Sequence, residues 1–305
     1  AKRQPDRVDP DAADERVFVV LGGGAAGAMA AETLLQDGFT GRIVLVTRED
    51  HLPYDRTSLS KSYMAPGQNL SLLRDAAFFE SCGIEIKSGC AVSRLDAGGR
   101  QLEFANGETL SYDALLVATG AVPRQLDLPG ADLEGIFSVR APGDVNGIIG
   151  AAEGGKRVVV IGASFIGLEC AAALRGNDLE VTVVAPESLP FEQVLGGEVG
   201  QLFKDAHEQN GVAFRLGSGV DSFVGNGKVE KVKLLPQSRH DRPDSKIPID
   251  PSGGTGVSLN VPREEASPEP LVLVSAYLDM LWIWMIHPPP RRSITFSRCG
   301  HRALL

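Results

Sequence analysis

The sequence predicts an α/β fold of two parallel-sheet domains, and three observations carry that expectation. The stretch VVLGGGAAGAMAAETL, from Val19, sets an apolar run before a glycine turn and a helical pattern of small residues. The stretch VVVIGASFIGLEC, from Val158, repeats that order. A second apolar run follows each, at Ile43–Val46 and Val181–Val184, so each region closes a strand–helix–strand unit within about 30 residues. Units of this kind lay their strands parallel.

Residues 1–16 are polar and read as a linker. Val17–Leu21 is a short buried strand, and Ala25–Gln36 is a helix with Ala26, Met29, Ala30 and Leu34 expected on one face and Gly38 as its stop. After the strand Ile43–Val46, a polar loop leads to a helix near Leu70–Cys82 and a strand at Ile84–Lys87. Asn106-Gly107 marks a hairpin, hence a small antiparallel meander, before a buried strand at Leu115–Ala118. The two prolines of PRQLDLPG mark a crossing between domains. The second unit runs through a strand at Val158–Ile161, a helix at Phe165–Leu174 and a strand at Val181–Val184. A helix at Val199–Asn210 and strands at Val212–Arg215 and Val229–Leu235 follow. The expected organisation is a linker over 1–16, a first and incomplete domain over 17–140, a second domain over 141–235 and a tail over 236–305.

An apolar content of 43% against 23% charged suits an ordinary globular protein, and 305 residues suffice for two domains. A net charge of −9 argues against general nucleic-acid binding. The opening AKRQPDRVDPDAADER lacks the apolar stretch of a signal peptide, which makes the cytoplasm the default place and the mitochondrion the alternative. Because Ala1 is not Met, a fragment or processed piece is expected. Cys82, Cys90, Cys170 and Cys299 form no C-x-x-C or zinc spacing, so they read as incidental thiols and no metal site is expected. Both tryptophans and a crowd of prolines lie in 236–305, with one long apolar run, LVLVSAYLDMLWIWMIH (Leu271–His287). That run is short for a membrane span, carries Asp279 centrally and ends in prolines, which argues against a membrane helix. The tail is expected to lack a packed core, as an altered splice or reading frame would.

In the first turn Gly22, Gly24 and Gly27 make G-x-G-x-x-G between a strand and a helix. Gly22 permits the tight turn, Gly24 lets backbone N–H groups approach a pyrophosphate, and Gly27 lets helix and strand pack closely. Ala25 and Ala26 open the helix, whose N-terminus adds partial positive charge for that anion. After Val46 the chain reads Thr47-Arg48-Glu49-Asp50, and Glu49 is chosen as the ribose-binding acid. The second turn keeps Gly162 and Gly167 around Ser164, Phe165 and Ile166. The Cβ of Ser164 crowds a phosphate, although its hydroxyl could donate to one. The strand there ends Val184-Ala185-Pro186-Glu187, with no acid at the usual place; Glu187 leans towards NADH, and the choice between NADH and NADPH stays open. Two such sites in tandem imply one cofactor held and one exchanged, for which FAD and a nicotinamide are the usual pair.

HLPYDRTSLSK (His51–Lys61), LLVATGAVPRQLDLPG (Leu115–Gly130) and VVVIGASFIGLECAAAL together resemble the FAD-dependent pyridine-nucleotide reductases. Within these the chain is most similar to the ferredoxin-reductase and apoptosis-inducing-factor branch, especially its Rieske-linked members. The resemblance covers Val17 to Leu235. The flavin disulfide reductases carry a close cysteine pair after the first unit, and none stands between Leu52 and Phe79, which agrees with this branch. The resemblance implies two Rossmann-like domains binding FAD and NAD(P)H. Gly22, Gly24 and Gly27 would hold the FAD pyrophosphate, Arg56 and Lys61 would lie against the flavin and its phosphates, and Ala118-Thr119-Gly120 would pass close to FAD. Glu169 would sit by the nicotinamide, within roughly 4 Å of Lys61. NAD(P)H would pass hydride to flavin N5, and electrons would go on to an iron–sulfur protein of ferredoxin or Rieske type, the latter conceivable as an upstream domain. Two alternatives carry the same turns: a redox-responsive module of apoptosis-inducing-factor type with little turnover, and an inactive truncated product. Arg48 departs from the pattern by standing where many relatives have the ribose acid. The family's return strand, Gly-Asp segment and C-terminal interface domain are not recognisable in 236–305.

Overall fold

The computed structural model describes residues 11–153, 157–235, 271–274, 284–286 and 293–295. The chain divides into two compact units. The first holds the described residues of Ala1–Asp55, Ser71–Ala121 and Asp279–Leu305, and the second those of Arg56–Leu70 and Val122–Leu278.

In the first unit β1 (Val17–Leu21), α1 (Ala25–Gln36) and β2 (Arg42–Val46) are followed by α2 (Ala76–Ser81), β3 (Ile84–Lys87), β4 (Val92–Asp96), β5 (Gln101–Phe104), β6 (Thr109–Ser111) and β7 (Ala114–Val117). β7, β1, β2 and β3 pair parallel in that order, with Leu21 opposite both Val46 and Val117. Strand alternation explains the layers. Val19, Leu21, Val44 and Val46 face the meander of β4–β6 through Leu95, Leu102, Phe104 and Leu110. Ile43 and Leu45 face the helices through Ala31, Leu35, Phe78 and Phe79.

The buried stripe of α1 differs from the expected face. Gly27, Ala28, Ala31 and Leu35 are buried while Met29 is 62% exposed. The cause is Gly27, whose missing Cβ lets the helix press on the Gly22 carbonyl and so sets its rotation. The second helix is also shorter than the pattern suggested. Asp75 caps it by accepting the Phe78 N–H at 2.8 Å, and Leu72 instead forms a bridge with Tyr54.

The second unit repeats the plan: β8 (Ile136–Ser138), α3 (Pro142–Ala152), β9 (Arg157–Ile161), α4 (Phe165–Gly176), β10 (Glu180–Ala185), α5 (Glu192–Leu195), α6 (Gly197–Gln209), β11 (Ala213–Leu216) and a hairpin of β12 (Val220–Asn226) and β13 (Lys228–Leu234). β11, β10 and β9 run parallel, and the hairpin covers the sheet through Phe223, Val229, Val232 and Leu234. Two short 3-10 turns, Arg56–Ser60 and Ser62–Met64, belong to this unit.

Most of 236–305 lies outside the described residues. Its described pieces, however, are strands: β14 (Leu271–Val274), β15 (Trp284–Ile286) and β16 (Ser293–Thr295). β14 runs parallel between β9 and β8, β15 adds an antiparallel edge to β7, and β16 one to β4. The apolar run singled out in the sequence therefore supplies sheet where it is described. Among the described residues no helix is long and apolar enough to cross a membrane. Leu273 is paired on both sides, with Val160 and with Phe137. Leu273→Pro should cost about 1–3 kcal/mol of stability by removing a ladder hydrogen bond, measurable by urea unfolding. An unchanged midpoint would show that β14 is dispensable to the sheet.

Candidate functional site

Both glycine turns are built by the same backbone hydrogen bonds. Gly22 N–H donates to the Val46 carbonyl and Gly162 N–H to the Val184 carbonyl, each at 2.8 Å. Both glycines have positive φ, 133° and 105°, which side chains resist. Gly24 and Ser164 are then the extended N-caps of α1 and α4, and their carbonyls accept from Ala28 and Leu168 at 3.0 Å. The first turns of both helices thus aim unpaired N–H groups outward.

The three glycines of the first turn have different reasons. A Cβ on Gly22 would collide with the Ala118 carbonyl oxygen, and one on Gly27 with the Gly22 carbonyl oxygen. A Cβ on Gly23 would stand 2.7 Å from that of Thr47, which is buried. In the second unit the corresponding residues are Ala163 and Ala185, both buried. A Cβ on Gly24, by contrast, meets nothing within 4 Å. The fold has no use for a glycine there, whereas an approaching phosphate does. The residues present thus fit a dinucleotide pyrophosphate. Ala25 and Ala26 keep that helix start small, whereas Phe165 and Ile166 occupy the same places in α4. Phe165 is 52% exposed and leans on Phe191 at 4.5 Å between ring centroids.

The loop after the second strand also repeats. Gly89 N–H donates to the Glu49 carbonyl at 3.1 Å and Gly217 N–H to the Glu187 carbonyl at 2.8 Å. Cys90 N–H donates to Thr47 at 2.9 Å and Ser218 N–H to Ala185 at 3.2 Å. Glu187 therefore stands where Glu49 stands, and both are half-buried between exposed neighbours. Glu49 accepts the Tyr54 hydroxyl at 2.7 Å, while Arg48 is exposed.

Within the second unit Glu169, one turn into α4, accepts from Ser60 Oγ at 2.6 Å and Lys61 Nζ at 2.8 Å. The contact expected between Lys61 and Glu169 is thus present. Lys61 also donates to the Thr57 carbonyl at 3.2 Å. With side chains 51% and 31% exposed, the pair is no buried bridge, and its stability contribution is about 0.2–1 kcal/mol. Its value is placement. Ser60, missed in the sequence reading, shares the carboxylate, and its signal was adjacency to Lys61. Further grips hold the same segment: Asn177 Nδ2 donates to Met64 at 3.0 Å, Tyr63 to Asn146 at 3.2 Å, and Arg56 to the Arg140 carbonyl. In the first unit Ala118 N–H donates to Leu21 at 2.8 Å, which sets Ala118-Thr119-Gly120 against the Gly22 turn.

Cys170 is fully buried beside Glu169. Burial foremost, with the Glu169 charge adding and Lys61 opposing, pushes its thiol up to about 12. Such a thiol is inert at neutral pH.

The pattern of the pyridine nucleotide-disulphide oxidoreductases matches residues 16–245. The chain is 40% identical over 217 residues to apoptosis-inducing factor 3 of Homo sapiens, covering 71% of this chain and 36% of that protein. It is 35% identical over 216 residues to the ferredoxin–NAD(+) reductase subunit of the benzene 1,2-dioxygenase system of Pseudomonas putida, covering 70% and 53%. The chain thus matches between a third and about half of these relatives' lengths. In structure it is similar to the ferredoxin reductase for the CYP199A2 system of Rhodopseudomonas palustris, with a TM-score of 0.71 and 31% identity, over 85% of this chain and 58% of that one.

Two predictions come from this geometry. Gly27→Ala should destabilise the first unit by about 1–3 kcal/mol through overpacking, whereas Gly24→Ala should leave the melting temperature of the ligand-free chain unchanged. Thiol labelling of the native chain at about pH 8 should spare Cys170 until unfolding, and modification of Cys170 before unfolding, read by mass spectrometry, would contradict this.

Proposed function

The chain belongs to the pyridine nucleotide-disulphide oxidoreductase family, an enzyme family that uses FAD and NAD(P)H, and from that premise we propose that it holds FAD at the first glycine turn and exchanges NAD(P)H at the second. The observation that carries this reading is Gly24, a glycine that no neighbour among the described residues requires and that leaves room for a phosphate at a helix N-terminus. The turns also differ at one position, where the first has Gly24 and the second Ser164.

FAD there would take a hydride from NAD(P)H and release electrons singly to an iron–sulfur partner. Gly22, Gly24, Ala25, Ala26 and Gly27 would present backbone N–H groups to the FAD pyrophosphate, and Glu49 would hold its ribose. Gly162, Ser164, Phe165, Ile166 and Gly167 would do the same for the nicotinamide dinucleotide. Lys61 and Glu169 form the pair assigned to the site of transfer, where a positive charge steadied by a carboxylate favours electron density arriving nearby. Arg56 and the Ala118-Thr119-Gly120 turn are assigned to FAD contact. The partner is a ferredoxin or Rieske-type protein, in keeping with the ferredoxin reductases among the relatives. The cytoplasm is the proposed place, with the mitochondrion as the alternative.

The purified chain should be yellow, and Gly24→Ala should weaken FAD binding by about tenfold or more while the fold persists. Lys61→Ala should slow flavin reduction by NADH at least about tenfold with little change in nucleotide affinity. A colourless chain that takes up no FAD would end the proposal. A Lys61→Ala chain reduced at the normal rate would remove that residue's role.

A further inference from the structure

Lys61 and Glu169 are both partly exposed, and an ion pair at such a surface holds no fixed geometry by itself. Whatever fixes it has to come from a buried side chain. Ser60 is 5% exposed and donates from Oγ to Glu169 Oε2 at 2.6 Å. Its other acceptor, the Thr57 carbonyl, stands at 3.4 Å, and a hydroxyl has one proton to give. The closer and charged acceptor takes it.

Ser60 is itself held from both sides. It ends the 3-10 turn Arg56–Ser60 after Leu59, which is buried, and the Lys61 N–H that follows donates to the Ser58 carbonyl at 3.0 Å. Four residues on, the carbonyl of buried Met64 accepts from Asn177 Nδ2 at 3.0 Å. Glu169 lies in α4 and Asn177 is its C-cap, so the segment grips one helix at two points about two turns apart. Lys61, by contrast, carries its charge on a flexible stem, 51% exposed. Its Nζ and Ser60 Oγ meet the same oxygen, and Oε1 of Glu169 accepts no hydrogen bond from the described residues. The carboxylate is committed on one oxygen and open on the other.

We propose that Ser60 is the positioning residue of this site: its buried hydroxyl orients the Glu169 carboxylate so that Lys61 is held on Oε2 while Oε1 stays free to accept from an arriving ligand. The inference rests on the assignment of Lys61 and Glu169 to the site of transfer. Ser60 exchanges no proton or electron in the reaction and acts only through Glu169.

The test has one arm without cofactor and one with it. In the first, the ligand-free full chain is acetylated with limiting acetic anhydride and read lysine by lysine by mass spectrometry, which reports how firmly Lys61 is held. Ser60→Ala should raise Lys61 labelling about twofold or more relative to the other lysines, with far-UV circular dichroism unchanged. Glu169→Gln should raise it too, and the double substitution no further than Glu169→Gln alone, because the two act in series. In the second arm the FAD-loaded chain is reduced by NADH in a stopped-flow spectrometer. Ser60→Ala should lower the limiting rate about threefold or more and leave the half-saturating NADH concentration unchanged. Unchanged Lys61 labelling in Ser60→Ala, or an effect that adds to that of Glu169→Gln, would overturn the proposal. Altered labelling beside an unchanged limiting rate would equally overturn it, since the hydrogen bond would then have no part in the reaction. A chain that takes up no FAD would remove the transfer site itself, and the labelling arm, which needs no cofactor, tells that failure apart from a failure of Ser60.

Discussion

Each unit hangs on one short backbone hydrogen bond, from the glycine just past the strand that leads into the helix to a carbonyl at or next to the end of the strand beside it. In the pairs Gly22–Val46 and Gly162–Val184 that bond turns the chain out of the sheet with positive φ and sends it into a helix. The direction of the helix follows from it, as does the outward aim of its first N–H groups. Gly27 adds the second constraint by pressing α1 onto the Gly22 carbonyl, which decides that Ala28, Ala31 and Leu35 face inward and Met29 outward. The proposed phosphate cradle would thus be a by-product of packing a helix against the strand that precedes it.

The loop Arg56–Met64 shows a different economy. Its sequence position is within the first domain, yet its polar groups are satisfied by the second unit, through Glu169, Asn177, Asn146 and the Arg140 carbonyl. None of these contacts is deeply buried, so none contributes much to stability alone. Together they hold Ser60 and Lys61 against one carboxylate. Positioning of this kind is what a site of charge transfer needs, since a preorganised dipole or charge requires no reorganisation when the reaction occurs.

What was legible in the sequence is what local chemistry dictates. Gly22 and Gly162 are demanded by backbone conformation, and the apolar runs of β1, β2, β9 and β10 by burial on both faces of a parallel sheet. The Lys61–Glu169 contact was legible only because a family signature surrounds each residue. Harder features depend on long-range pairing. β14 draws its place from β9 and β8, far away in the chain, and nothing in LVLV names those partners. β8 and α3 were invisible for a related reason: one is three residues long, and the other is rich in glycine and small residues with only Val145 and Ile148 as a buried apolar pair. The loop that carries Glu187 was not legible as a repeat of the one that carries Glu49, because counting residues past a strand gives no frame, whereas the Gly217–Glu187 and Gly89–Glu49 hydrogen bonds do.

On the proposed assignment, two copies of one cradle serve two different nucleotides at once. The most direct measurement is a displacement experiment, in which the chain is saturated with FAD and then titrated with NADH under conditions that prevent reoxidation, with free and bound flavin separated at each step. Two distinct cradles predict that NADH binds the FAD-loaded chain at one equivalent and that the flavin stays bound throughout. Release of FAD in proportion to NADH added would mean that both nucleotides compete for a single turn, and would contradict it.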